Sequence, residues 1–259
     1  NLNGVKIYST EDAAITNINQ NNLVINLQER TTNILSDAGS ETDYDACLYS
    51  NGPLTINGAG ILRVVGNRVN DEGIATKNAP ITINNGKITI VTKDDGINTG
   101  GDGGTISING GIIYINAGRD GIDSNQDILV NGGTLYTIGS SFGNFSGLDA
   151  DKGISINGGT VIATGSSWLQ IPLLISKQKS LSLGFDSLNN ENQIYTLTDE
   201  TGNEIISFIG DASIVNGVAF EALNNISTSI SSFPNISNMS VNVSDANVYS
   251  SSNTSSIAS

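Results

Sequence analysis

Carboxylates crowd one part of this chain: Asp94-Asp95, Asp120, Asp123, Asp149 and Asp151, with Asn98, Asp102, Asn125 and Asp127 close by. They fall at matching places in successive repeats of the sequence. If the repeats stack as strands, equivalent carboxylates lie about 4.8 Å apart. Two ionised groups at that separation repel by roughly 1 to 4 kcal/mol, depending on the effective dielectric. A penalty repeated in this way points to a hard cation, and oxygen donors at this density suit Ca²⁺. The candidate metal set is Asp94, Asp95, Asn98, Asp120, Asp123, Asp149 and Asp151. The competing explanation is a row of solvated turn residues, since Asp-Gly is an ordinary turn pair.

The repeat that carries these residues is explicit. The phrase Thr55-Ile56-Asn57-Gly58 returns as Thr82-Ile83-Asn84-Asn85-Gly86, Ser107-Ile108-Asn109-Gly110, Leu129-Val130-Asn131-Gly132 and Ser155-Ile156-Asn157-Gly158. Its Asn stands at 57, 84, 109, 131 and 157, a period of 22 to 27 residues. A β-rich run follows each: Ile61–Val65, Lys87–Val91, Ile112–Ile115, Thr134–Ile138 and Thr160–Ala163. A repeat of this length holds three short strands and three turns, which is one coil of a parallel β-helix. The fold class expected is all-β, a right-handed single-stranded parallel β-helix of about six coils.

A second column runs in step with the first. It comprises Asp12-Ala13-Ala14-Ile15, Asp45-Ala46-Cys47-Leu48, Glu72-Gly73-Ile74-Ala75, Asp95-Gly96-Ile97-Asn98, Asp120-Gly121-Ile122-Asp123 and Ser146-Gly147-Leu148-Asp149. Its third position predicts an inward ladder of Ala14, Cys47, Ile74, Ile97, Ile122 and Leu148, with Cys47 a buried apolar thiol. The Gly before it marks a tight place in the backbone. The Asn of the first column is expected to turn the chain through the left-handed region and to pair with its counterpart in the next coil. Asn3-Gly4 is assigned to the same column.

Three segments follow: the β-helix over 1–165, an antiparallel β cap module over 166–225, and a Ser/Asn-rich tail, extended or disordered, over 226–259. In the module, Leu181–Phe185, Ile194–Leu197 and Ile205–Ile209 read as strands, with a hairpin turn at Asp199–Asn203. In the tail, Met239, Val241 and Val243 alternate with polar residues, as one extended strand would.

Composition narrows the function. The chain of 259 residues carries 11 basic and 25 acidic residues, a formal charge of −14. That argues against nucleic acid, whose phosphates need Lys and Arg. No apolar run approaches the roughly 20 residues of a membrane helix, and no signal peptide is visible. Thirty Gly suit a fold dense in tight turns, and four Pro leave the strands free to pair. One Cys excludes an internal disulfide, and the absence of His removes the commonest general base and zinc ligand. Sequons at Asn144, Asn225, Asn235, Asn238, Asn242 and Asn253 raise a glycosylated extracellular surface.

Aromatic residues are few. Tyr114 and Tyr136 occupy the same strand column in neighbouring coils. Outward they would hold a sugar ring; inward they would be core, which is the expectation here. Phe142 and Phe145 lie in an insertion beside Asp149, a reasonable place for a ligand.

The repeated D-G-I…I-x-I-x-G-G-x-x-x-I pattern resembles the secreted bacterial carbohydrate-binding domain-containing proteins, over roughly residues 3 to 222. These are right-handed parallel β-helices that look like polysaccharide lyases. The resemblance implies calcium binding, cellulose- or pectin-like polysaccharide as partner, and an extracellular or cell-surface setting. Tyr114, Tyr136, Phe142 and Phe145 are the carbohydrate-binding candidates among the aromatic residues. A β-helix can carry two catalytic chemistries. A polygalacturonase-type hydrolase fails for want of His and of an Arg-x-Lys motif. A calcium lyase would need Lys93, Arg119 or Lys152 as base. The expectation is a non-catalytic binding protein. A structural alternative is a filament or sheath subunit, a homo-oligomer formed through open strand edges and the tail.

Overall fold

Each β-rich run of the sequence becomes a strand, and the strands stack coil on coil. The structure, a computed structural model, describes residues 1–38, 44–140, 143–166, 176–177 and the later strands named below. The first coil holds β1 (Lys6–Tyr8), β2 (Ile15–Asn17) and β3 (Leu23–Leu27). The second holds β4 (Thr32–Ser36), β5 (Ala46–Ser50) and β6 (Leu54–Gly58); the third β7 (Ile61–Val65), β8 (Glu72–Thr76) and β9 (Ile81–Ile83). The fourth holds β10 (Lys87–Val91), β11 (Ile97–Thr99) and β12 (Ile106–Ile108); the fifth β13 (Ile112–Asn116), β14 (Ile122–Ser124) and β15 (Asp127–Val130). The sixth holds β16 (Thr134–Ile138), β17 (Leu148–Ala150) and β18 (Gly153–Ile156), and β19 (Thr160–Gly165) opens a further turn. First strands of successive coils pair in parallel to make sheet one, second strands sheet two, third strands sheet three. The chain is therefore an all-β parallel solenoid of six coils.

Alternation fixes which side chains fill the solenoid. In β10 and β13, Ile88, Ile90, Ile113 and Ile115 are buried, while Lys87, Thr89, Ile112 and Tyr114 face out. All three sheets contribute: Ile56, Ile81 and Ile106 from sheet three meet Leu48, Ile74 and Ile122 from sheet two in one continuous apolar cluster. Burying a side chain of this size contributes about 1.5–3 kcal/mol relative to leaving it exposed.

The inward column of sheet two is corrected at its start. Leu48 pairs with Ile74, and Ile15 with Leu48. The column is thus Ile15, Leu48, Ile74, Ile97, Ile122 and Leu148. Ala14 and Cys47 stand one place earlier, level with Gly73. Cys47 is nonetheless fully buried, and burial pushes its thiol up to about 12. The Gly beside this column answers close packing: a Cβ on Gly73 would meet Gly96 O at 2.6 Å and the Ile90 side chain.

The asparagine column forms the expected ladder. Asn84 Nδ2 donates to Asn57 Oδ1 at 2.8 Å, Asn109 to Asn84 at 2.8 Å, Asn131 to Asn109 at 2.9 Å and Asn157 to Asn131 at 3.0 Å. Two details differ. Asn26 begins the ladder, receiving Asn57 Nδ2 at 3.3 Å. Leu2 bridges Leu27, which puts Asn1 level with Asn26 and Asn3-Gly4 beyond the column. The left-handed turn falls on Gly, not Asn: Gly58, Gly86, Gly111, Gly133 and Gly159 have positive φ, whereas Arg30 and Asn70 are the described non-glycine residues that do. A Cβ on Gly111 would also lie 2.6 Å from Gly86 O.

Beyond β19 the sheets change direction. β20 (Ser180–Gly184), β21 (Gln193–Thr198), β22 (Glu204–Gly210), β23 (Val218–Ala222), β24 (Ser240–Val243) and β25 (Ile257–Ala258) all pair antiparallel. β23 lies along β19, so it covers the open edge of sheet one. On sheet three, Ile156 N donates to Ser176 Oγ at 3.1 Å. The alternating tail stretch pairs with β21 of its own chain; a strand so engaged must break that pairing before it can cross to another subunit. Phe185 and the turn 199–203 lie outside the described residues.

Candidate functional site

The acidic residues collect where sheet one turns into sheet two. Strands β11, β14 and β17 pair with Ile97, Ile122 and Leu148 in register, and their next residues, Asn98, Asp123 and Asp149, form an outward, half-buried row. Asn98 Nδ2 donates to Asp95 Oδ2 at 2.8 Å and to Asp123 Oδ2 at 3.3 Å. One amide thus joins two carboxylates of neighbouring coils. Asp151 is exposed just past the row.

Two of the candidates do a different job. Asp95 Oδ1 accepts Asp120 N at 2.9 Å, and Asp120 Oδ1 accepts Ser146 N at 2.5 Å. Each carboxylate holds the backbone of the following coil, at its own equivalent position. They clamp coil to coil. Asp94 is level with Arg119, whose Nη1 donates to Asp94 Oδ2 at 3.0 Å. Arg119 also lies 5.6 Å from the centre of the Phe145 ring. Asp94 Oδ1 is buried without a hydrogen-bond partner, as is Glu72 Oε2 one coil earlier.

Crowding and burial raise the carboxyl pKa values. Burial, then Asp45, holds Glu72 at about 9. Burial outweighs the Ser146 N–H to place Asp120 at about 8, with Asp95, Asp149 and Asp123 adding to the rise. Burial, then Asp95, Asp149 and Asp151, places Asp123 at about 7. Asp94 and Asp95 are raised by burial too, opposed by Arg119 in both. The structure therefore brings the predicted residues together on one corner. Among the described residues, however, no three Asp, Glu, Cys or His side chains converge as a metal group.

Neighbouring turns hold a cluster that repeat-based reading passed over. Arg68 is 5% exposed and faces Asp71, Asp37 at 3.8 Å and Asp12 at 3.7 Å, while its Nη2 donates to Tyr44 O at 2.8 Å. Burial pushes Asp71 up against the pull of Arg68. These residues come from turns of unequal length, so no period betrays them. A second overlooked set is the buried hydroxyl column Ser50, Thr76, Thr99 and Ser124 at the end of sheet two. It satisfies turn carbonyls: Ser50 Oγ donates to Gly52 O at 2.7 Å and Ser124 Oγ to Gly104 O at 2.6 Å. A hydroxyl at the last residue of each of the strands β5, β8, β11 and β14 was the available signal.

The aromatic expectation is corrected. Tyr114 and Tyr136 pair across β13 and β16 on the outward face of sheet one, because Ile113, Ile115 and Leu135 take the inward positions. Their ring centres are 5.4 Å apart and tilted by 57°. Phe145 is half-buried beneath Arg119, and Phe142 lies outside the described residues. Asn144 is exposed; Asn225, Asn235, Asn238 and Asn253 lie outside the described residues, and Asn242 pairs with Thr196 in β24.

The profile of the carbohydrate-binding domain-containing protein family matches residues 1–254, and the chain belongs to that family. A solved structure titled "polysaccharide lyase-like protein from C. thermocellum, Gadolinium derivative" is 29% identical, with a TM-score of 0.44, covering 62% of this chain and 70% of that one. No curated protein matches the chain. Among the described residues no helix is long and apolar enough to cross a membrane.

Proposed function

We propose that this chain is an extracellular, non-catalytic polysaccharide-binding protein that takes up calcium at the corner between sheets one and two. The observation that carries the reading is the outward Tyr114–Tyr136 pair, in a chain of a carbohydrate-binding family. Two phenol rings on a rigid sheet give apolar area for a sugar ring at little entropic cost, because the sheet holds them in place.

Calcium fits the corner in donor chemistry. Asp123 and Asp149 stand in register on adjacent strands, with Asn98 and Asp151 flanking them, and Asp123 is repelled by Asp95, Asp149 and Asp151. A hard divalent ion would offset that repulsion and bind oxygen donors of this kind. Asp95 and Asp120 are committed to backbone N–H groups, so they support the row rather than complete it. Asp94 belongs with them, since Arg119 holds one of its oxygens.

Absence of cleavage is supported by the bases. Arg119 is held by Asp94 and packs against Phe145, which removes it as a mobile proton acceptor beside the row. Lys93 and Lys152 are exposed and remain as alternatives. A glycan array probed with and without chelator tests the proposal. Binding to polysaccharide is expected. No binding under either condition would reject it. A rise in absorbance at 235 nm on polygalacturonate, lost in Lys93→Ala, would replace it with a lyase.

A further inference from the structure

Asn-Gly pairs carry a chemistry of their own. The peptide nitrogen of the Gly can attack the side-chain amide of the Asn before it, because no Cβ on the Gly crowds the approach. The chain has eight such pairs. By sequence they are equals; by structure they are not. Four begin at ladder residues, Asn57, Asn109, Asn131 and Asn157. Each of these donates through Nδ2 to the coil before, and Oδ1 of Asn57, Asn109 and Asn131 also accepts from the coil after. Asn51 Nδ2 donates to Ile18 O at 2.8 Å. Asn3 is exposed at the first coil, and Asn216 lies outside the described residues.

Asn85 stands apart. The turn before β10 reads Asn84-Asn85-Gly86-Lys87, and the turn before β13 reads Asn109-Gly110-Gly111-Ile112, with Lys87 paired to Ile112. Asn84 therefore takes the ladder place, and Asn85 takes the place of Gly110. It is exposed and outside the ladder. Its Oδ1 accepts Gly86 N at 2.8 Å, so the side chain lies folded over the peptide nitrogen that would attack it. If that nitrogen loses its proton, the lone pair left behind points where the proton did, at the Asn85 amide. Reacting groups held in this way have already given up most of the freedom that attack costs.

We infer that Asn85 is a site of spontaneous covalent modification, converting through a cyclic imide to aspartyl and isoaspartyl forms, while the ladder shields its own asparagines. Hydroxide removes the Gly86 amide proton, and the nitrogen bonds to Asn85 Cγ. The Cγ–Nδ2 bond breaks, and Nδ2 takes a proton from water and leaves as ammonia. Water then opens the imide. Cleavage at Cγ–N gives the aspartyl form, and cleavage at the main-chain carbonyl gives the isoaspartyl form. Nothing is oxidised or reduced. A ladder Asn must first release its hydrogen bonds to present Cγ to the next nitrogen, which slows it about tenfold or more. Either product adds one negative charge to a chain at −14. The isoaspartyl form also lengthens the main chain by one carbon at the start of β10, where Lys87 N donates to Gly60 O at 3.0 Å and Ile112 N donates to Gly86 O at 2.8 Å.

The experiment incubates the whole chain at pH 7 and pH 9, folded and in urea, then digests it with trypsin for mass spectrometry with separation of isomers. Residues 78–87 leave as one peptide, in which fragment ions separate Asn85 from Asn84 and Asn78. In the folded chain, Asn85 is expected to convert at least about tenfold faster than any ladder Asn, and faster at pH 9 than at pH 7. In urea, the ladder sites are expected to approach the Asn85 rate. N85Q is expected to abolish the change in this peptide at an unaltered melting temperature. N109A takes away the acceptor of Asn131 Nδ2 and is expected to speed conversion at Asn131. A ladder Asn, or Asn3, that converts as fast as Asn85 in the folded chain overturns the inference. Asn85 that converts in urea and stays unchanged in the folded chain overturns it as well, because the turn then holds the amide away from attack. A rate at Asn131 untouched by N109A removes the ladder as the shield and counts against it in the same way.

Discussion

Glu72 stands level with Asp95 and Asp120, the residues that clamp the next coils, but its Oε2 has no partner. Burial and Asp45 raise its carboxyl to about 9. A carboxyl with a folded pKa above its unfolded value favours folding most at low pH, and that contribution is lost as pH rises through the folded pKa. Asp120 at about 8 and Asp123 at about 7 act in the same sense. In chelator, the melting temperature is therefore expected to fall between pH 5 and pH 9. Glu72→Gln mimics the neutral acid and removes one ionisable group, so it is expected to flatten that slope and to raise the melting temperature at pH 8.5. A scan showing rising stability over this range would contradict the assignment. The row beside it makes a linked prediction. Calcium bound to the folded state alone stabilises by about 2.7 kcal/mol at a hundred times its Kd. Added calcium is expected to raise the melting temperature at pH 8 in the native chain and not in D123N with D149N, as read by calorimetry.

At the scale of strands, periodic features were legible and singular ones were not. The five runs read as strands became β7, β10, β13, β16 and β19. Ile74, Ile97 and Ile122 face inward, as the column required. The first members slipped because Asp45-Ala46-Cys47-Leu48 imitates Asp95-Gly96-Ile97-Asn98 while pairing one residue out of step. The tyrosines were misplaced because a Tyr is compatible with either face of a strand; alternation with Ile113 and Ile115 decides it. Of the candidate site, the acidic corner was legible from its repetition. The split between clamping Asp95 and Asp120 and the outward Asp123 and Asp149 was not, because it depends on which carboxylate meets a backbone N–H. The column itself is testable. Ile97→Ala and Ile122→Ala each remove buried volume between packed strands and are expected to destabilise by about 2–5 kcal/mol in denaturant unfolding. Asn109→Ala breaks two ladder bonds at an exposed corner where water substitutes. It is expected to cost about 1 kcal/mol, clearly less than either core change.

At the scale of the molecule, the ends of the solenoid govern how it behaves. A parallel sheet presents unpaired N–H and C=O groups along each terminal strand, and such an edge recruits other chains. At the C-terminal end β23 lies against β19, and β20 lies on its far side. β23 is thus flanked by a strand on both sides, so the N–H groups along it point to one neighbour or the other. A proline there removes a donor and leaves a carbonyl unsatisfied next to β19. Ala222→Pro, opposite Val161 on one side and Ser180 on the other, is expected to destabilise by about 1–3 kcal/mol. For a chain of this size that is a fall of a few degrees in melting temperature. Light scattering should show more association in this variant than in the native chain, because the edge of β19 opens more often. Ala222→Val keeps the donor and suits a strand, and it is expected to behave as the native chain does. Equal association of the proline and valine variants would show that β23 does not guard the edge.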